Sequence, residues 1–144
     1  MRVYAYGVVS SSTLYRVRGA FPAPEGYAEI EDALHMTGGE AANSAIVLAR
    51  LGASVKLDGN WIGNDDGGRR TKALLDGFGI DTSRLPPRDA YQGVQEVVFA
   101  AGNTRTIFGS YGALLDKEAW NSPRDEDIAA APGVCLDAFF AGPA

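Results

Sequence analysis

The sequence predicts an α/β protein in which a parallel sheet carries helices and a small antiparallel sheet stands beside it. Val3–Val9 (VYAYGVV) is apolar at nearly every position, as a strand buried on both faces should be. Glu40–Leu51 and Asp66–Phe78 carry apolar residues at helical spacing, and each is followed by a glycine, Gly52 and Gly79, where a helix cap belongs. Residues 13–21 and 27–36 instead alternate apolar with polar or charged side chains, the pattern of strands with one wet face. Buried strands separated by helices imply a parallel sheet, and alternating strands with no helix between them imply a separate antiparallel one.

Taken in chain order, the first strand ends at the hydroxyls of Ser10, Ser11 and Ser12. Pro22, Pro24 and Gly26 mark a turn between the two alternating strands. In the first helix Ala41, Ala42, Ala45, Ile46, Leu48, Ala49 and Leu51 form the apolar face, and so many alanines suit close packing on a sheet. Ser54–Leu57 is a short strand. In the second helix Leu74, Leu75 and Phe78 point inward. Two further strands, 93–100 and 104–108, are joined by a hairpin turn at Ala101-Gly102-Asn103. The segment 116–131 holds a helical turn or two, with Asp125, Glu126 and Asp127 placed to favour a helix N-terminus. Gly133–Phe140 is another buried strand.

Composition narrows the function. At 144 residues the chain is the size of one domain, and 46% hydrophobic with 22% charged residues is typical of a soluble globular protein. A net charge of -5 with no basic run offers no track for nucleic-acid phosphates. No apolar run approaches the roughly 20 residues of a membrane span, and the start lacks the apolar core of a secretory signal. Cys135 is the only cysteine, so one chain can form neither a disulfide nor a cysteine-built metal site. A cytoplasmic protein is the default expectation. The 18 glycines are spread along the chain, which suits many tight strand–helix turns.

Two motifs carry chemistry. In Gly38-Gly39-x-x-x-Asn43 the glycines let backbone come close to a ligand, and a helix start presents N–H groups to oxygens. Asn43, one turn into the helix, can donate and accept at once, which suits a sugar hydroxyl. The competing reading is a tight turn with Asn43 satisfying local backbone. In Gly63-Asn64-Asp65-Asp66-Gly67-Gly68 the leading reading is that Asp65 or Asp66 caps the following helix. The adjacent carboxylates have no third ligand close in sequence, so a metal site is set aside. There is no phosphate-binding Gly-x-x-x-x-Gly-Lys-Ser/Thr and no Gly-x-Gly-x-x-Gly directly after a strand, which disfavours a Rossmann dehydrogenase. His35 has no matching partner on its strand, and Cys135 reads as an inert core thiol. Tyr4, Tyr6, Trp61, Phe99 and Phe108 are expected in the core, although Phe108 and Tyr111 flank the second sheet and are placed to cover a ligand.

From Gly38 to Asp81 the order and spacing of these features resemble the N-terminal signature of the ribokinase-like (PfkB-type) carbohydrate kinases. Gly102-Asn103-Thr104-Arg105-Thr106 is similar to that family's Asp-Gly-x-Arg-Thr hairpin, and Gly133–Phe140 to the strand leading towards its second half. The resemblance implies a three-layer, Rossmann-like α/β domain, incomplete at the C-terminus, with a small β-sheet lid. The core would comprise 1–12, 36–85 and 112–144, and the lid 13–35 and 86–111. It further implies that Gly38, Gly39 and Asn43 hold sugar hydroxyls between lid and domain, with Phe108 and Tyr111 as lid wall. The family's acidic residue after the first strand falls on Ser12, with Ser11 beside it, and a serine cannot accept from two hydroxyls as a carboxylate does.

The family's catalytic aspartate lies in a Gly-Ala-Gly-Asp loop that these residues do not contain. The ATP segment and the acidic motif linked to magnesium also lie beyond them. ATP and Mg2+ are therefore implied for the full-length family member and not for this chain alone. The expectation is the substrate-binding and lid portion of an ATP-dependent carbohydrate kinase that phosphorylates a sugar hydroxyl, inactive in transfer and poorly stable by itself. The alternatives are a non-catalytic sugar- or nucleoside-binding module and a lid-mediated dimerisation unit. The expected partner is a small sugar or nucleoside, with no nucleic acid and no membrane, and a homodimer through the lid is possible.

Overall fold

The computed structural model describes residues 1–115 and 119–137 and contains two sheets. β1 (Arg2–Gly7), β4 (Ser54–Gly59) and β7 (Gly133–Leu136) form a parallel sheet in the order β4-β1-β7. β2 (Ser10–Val17), β3 (Ile30–Gly38), β5 (Gln95–Ala101) and β6 (Thr104–Ser110) form the second, in the order β3-β2-β5-β6. Helices α1 (Glu40–Arg50) and α2 (Asp66–Gly77) follow β3 and β4, and two short helical segments, α3 (Gly112–Leu115) and α4 (Asp125–Ala129), precede β7. No helix among the described residues is long and apolar enough to cross a membrane.

The α/β architecture with a separate small sheet is the expected one, but two details differ. The second sheet is mixed, because β2 and β5 pair in parallel while β3 and β6 run antiparallel to their neighbours. Between β2 and β5 the chain passes through β3, α1, β4 and α2, and so long a connection leaves strand direction free where a hairpin would reverse it. Ser10, Ser11 and Ser12 do not end β1. The chain leaves the first sheet at Val8–Val9, and the serines open β2. The final strand is described over Gly133–Leu136, and the expected continuation to Phe140 lies outside the described residues, as does 116–118 of the expected helical segment.

Strand alternation builds the main core. Val3 and Ala5 of β1 and Val55 and Leu57 of β4 point to one face, where Ala41, Ala42 and Ala45 of α1 and Leu75 of α2 close over them. The alanines allow α1 to lie tight against the strands and are also the best helix formers, so packing and propensity agree there. Tyr4, Lys56 and Asp58 point to the opposite face. There Asp58, fully buried, accepts from Tyr4 Oη (3.0 Å), Arg84 Nε (3.1 Å), Asn121 Nδ2 (2.8 Å) and the Gly59 N–H (2.8 Å). These bonds tie the residues around Asn121 to the sheet. Burial, and then the Asp58 charge, push the Tyr4 hydroxyl well above the usual phenol range, so it remains a donor.

The passage from one sheet to the other is clamped. The Val9 N–H donates to Asn60 Oδ1 (2.7 Å), and Asn60 Nδ2 donates back to the Val9 carbonyl (2.9 Å) and to that of Trp61 (3.0 Å). The Val8 N–H donates to Asp137 Oδ2 (2.9 Å). Asn60 is 0% exposed, so water cannot replace it. Asn60→Ala would leave both backbone groups of Val9 buried and unpaired, and is expected to cost roughly 2–3 kcal/mol of stability. Urea unfolding measures this, and an unchanged midpoint would show that the amide only fills space.

Candidate functional site

A cavity of about 310 Å³ lies between the start of α1 and the inner face of the second sheet. Gly38, Gly39 and Asn43 line it from one side, and Ser12, Glu96 and Arg105 from the other. The sheet face follows from its register. Ser12 is level with Met36 on one side and Glu96 on the other, and Ile107 stands across from Val98.

The two glycines are required for different reasons. Gly39 has φ +90, and a Cβ there would stand 2.1 Å from the Val8 carbonyl oxygen. That same carbonyl accepts from the Ala42 N–H (3.4 Å) in the first turn of α1, a helix with no side-chain cap. Gly38 is strained by nothing in its backbone. A Cβ there would instead meet Glu96 Oε2 at 2.3 Å, Ser12 Oγ at 2.4 Å and Ser10 Oγ at 2.5 Å. Oxygens from three residues of β2 and β5 thus face the place where Gly38 has no side chain.

Within this group Ser12 Oγ donates to Glu96 Oε2 (2.6 Å) and Tyr111 Oη donates to Glu96 Oε1 (3.1 Å). Burial, and then the Glu96 charge, raise the Tyr111 hydroxyl above its ordinary range, which keeps it a donor. The amide of Asn43 opens to the cavity without a hydrogen bond from its side chain among the described residues. The reading in which Asn43 serves local backbone is therefore not the arrangement found. Its main-chain N–H makes the ordinary helical bond to the Gly39 carbonyl (3.0 Å).

The structure brings Ser12, Gly38, Gly39 and Asn43 together and leaves Phe108 out. Strand alternation sends the Phe108 ring to the outer face of the sheet, where it is 56% exposed and stands edge-on to Phe99, with centroids 6.0 Å apart. Phe108 is thus neither core nor cavity wall, and its neighbours Ile107 and Arg105 face the cavity in its place. Tyr111 reaches the site through Glu96. Glu96 itself carries no motif. The available signal was one carboxylate among the apolar residues of the strand GVQEVVFA, at a position sharing a face with Val94 and Val98.

The second motif is structural. Asp65 accepts from the Gly68 N–H (2.8 Å) as the N-cap of α2, and Asp66 pairs with Arg69 (2.6 Å). Gly68 also packs so that a Cβ would fall 1.9 Å from the Gly63 carbonyl oxygen. With one carboxylate committed to a cap and the other to an arginine, the pair does not fit a magnesium ion. No cluster of three or more His, Cys, Asp or Glu suited to a metal is present among the described residues. His35 lies on the outer face, with Nδ1 3.2 Å from Thr13 Oγ1.

Residues 5–135 match the family model described as pfkB family carbohydrate kinase. Among solved structures, the chain is similar to a ribokinase-like protein from Agrobacterium tumefaciens, with 27% identity and a TM-score of 0.82 over 95% of this chain and 44% of that one. It shares its fold with the Arabidopsis thaliana ribokinase complexed with ribose and ATP, at 20% identity and a TM-score of 0.71 over 94% of this chain and 44% of that one. The ribokinase of Cryptococcus neoformans var. grubii serotype A in complex with ADP gives 23% identity and a TM-score of 0.65, over 94% and 40%. The chain therefore spans less than half the length of these relatives.

Gly39→Ala forces backbone against backbone and is expected to destabilise by about 1–3 kcal/mol or more, whereas Asp65→Ala removes one cap and costs about 1 kcal/mol. Denaturant unfolding of both variants ranks them, and the reverse order would refute the contact assigned to Val8.

Proposed function

The chain belongs to the pfkB family of carbohydrate kinases, and from that membership we propose that it supplies the acceptor-binding side and the lid of an enzyme that phosphorylates a sugar hydroxyl with MgATP. The observation that carries this reading is the uncommitted amide of Asn43 facing one cavity with the Gly38-Gly39 turn and the hydroxyl of Ser12. An amide, a hydroxyl and a glycine backbone are neutral partners that both give and take hydrogen bonds, as the hydroxyls of a sugar do. Residues 13–35 and 86–111 act as the lid in this reading, with the inner face of β2, β5 and β6 closing over the acceptor.

Phosphoryl transfer depends mainly on positioning the acceptor in line and on neutralising charge at the phosphate. Gly38, Gly39, Asn43 and Ser12 serve the first need by fixing the ring and turning one hydroxyl outward. Groups that meet the phosphate belong to the remainder of such an enzyme, and no step at the phosphate is assigned to these residues.

Isothermal titration calorimetry with pentoses, hexoses and nucleosides tests the reading. At least one is expected to bind without ATP, and Asn43→Ala to weaken that binding by about tenfold, equivalent to one good hydrogen bond. Binding by no member of the panel, or equal affinity in Asn43→Ala, would sink it.

A further inference from the structure

We propose that Glu96, carried on β5, is the carboxylate that grips the acceptor, accepting hydrogen bonds from two adjacent hydroxyls and so selecting a vicinal diol. The inference rests on the acceptor-binding reading above and adds the group that Ser12 alone cannot supply.

The carboxylate lies at the centre of the site. Glu96 is level with Ser12 across the β2–β5 pairing and stands opposite Gly109 of β6, where the Tyr111 ring takes the space a side chain would fill. Oε2 packs so closely on Gly38 that a Cβ there would meet it at 2.3 Å, and the residue lines the same cavity as Asn43. The group is half-buried and has no lysine or arginine paired with it among the described residues. A charge in that setting is satisfied by hydrogen bonds, and the protein provides one to each oxygen, from Ser12 and from Tyr111. An ionised carboxylate has about four acceptor positions, so each oxygen retains capacity for another donor.

Those two protein bonds also fix the orientation. Ser12 holds one oxygen and Tyr111 the other, so the plane of the carboxylate is set before a ligand arrives and little rotamer freedom remains to be lost. Two acceptors on one carbon match two hydroxyls on neighbouring carbons, whereas a single serine matches one. Ser10 Oγ, 1% exposed and without a hydrogen-bond partner among the described residues, packs against Gly38 beside Ser12 Oγ and Glu96 Oε2. A purely structural role for Glu96 would be limited to bracing Ser12 and Tyr111, and it would leave affinity insensitive to which hydroxyls the ligand carries.

The test compares wild type and Glu96→Gln by calorimetry, using the tightest-binding sugar of the panel and its monodeoxy analogues. Charge-assisted bonds contribute about 1.5–3 kcal/mol, so Glu96→Gln is expected to weaken the parent sugar by about ten- to a hundredfold. Two monodeoxy analogues, at adjacent carbons, are expected to lose a similar factor with wild type and to show that loss largely abolished in Glu96→Gln. If the parent sugar binds Glu96→Gln as tightly as wild type, or the deoxy penalties persist in the variant, the proposal is overturned while the acceptor-binding reading stands. Should Glu96→Gln fail to fold, as judged by its circular dichroism, wild type alone decides: no deoxy penalty at any pair of adjacent carbons refutes the proposal. If wild type binds no sugar, both readings fall.

Discussion

Everything in this structure depends on how the chain is held at Val8–Val9, where it leaves one sheet for the other. Two residues outside any strand have four backbone groups to satisfy in a dry place. Asn60 meets two of them with its single amide, imitating a strand partner at the end of β4, and Asp137 meets a third from the end of β7. The Val8 carbonyl is then free to accept from α1 and to fix how near Gly39 comes. Parallel sheet, helix start and second sheet therefore meet at one joint. The cavity lies beside that joint, flanked there by the Gly38-Gly39 turn and Ser12, and β5 and β6 close it from farther along the second sheet.

Much of this was legible in the sequence, and the rest was hidden for identifiable reasons. Both long helices were readable because their apolar spacing and terminal glycines state the same thing twice. Gly38, Gly39 and Asn43 were readable as a group because a helix start places them on adjacent turns. Ser10–Ser12 misled because hydroxyls after an apolar run look like an end, and only Asn60, some fifty residues on, shows that the chain continues into a new strand. Phe108 misled because a strand shows its two faces only once the register is known, and one step along it exchanges Phe108 for Ile107. The parallel pairing of β2 with β5 and the role of Glu96 were out of reach for the same reason: both arise from residues brought level by the intervening βαβα segment, and no local pattern records them.

The second sheet is thin, four strands with one face turned to the cavity. The start of α2 stands over one end of its outer face, beside Ser11, Thr13, Gln95 and Val97, and aromatic side chains hold the register beyond it. Tyr15 stacks on Phe99 at 5.5 Å between centroids, and Phe21 and Phe108 meet the same ring edge-on at 5.7 and 6.0 Å. Aromatic pairs of this kind add about 0.5–1.5 kcal/mol each beyond the area they cover. The cluster joins the loop after β2 to β5 and β6, so the inner face is free to carry polar residues such as Glu96 and Ser12 without loosening the layer.

Because Asn43 and Gly39 belong to the helical side of the cavity and Ser12 and Glu96 to the strand side, any molecule held by both sides is also a tie between them. Binding and cohesion become one thermodynamic quantity: whatever free energy an occupant gains from touching both walls resists their separation by the same amount. Hydrogen-exchange protection at the joint around Val9 would then rise and fall with occupancy, although no ligand atom need come near it. The buried amide of Asn60 would in that way record the state of a cavity whose wall it does not form.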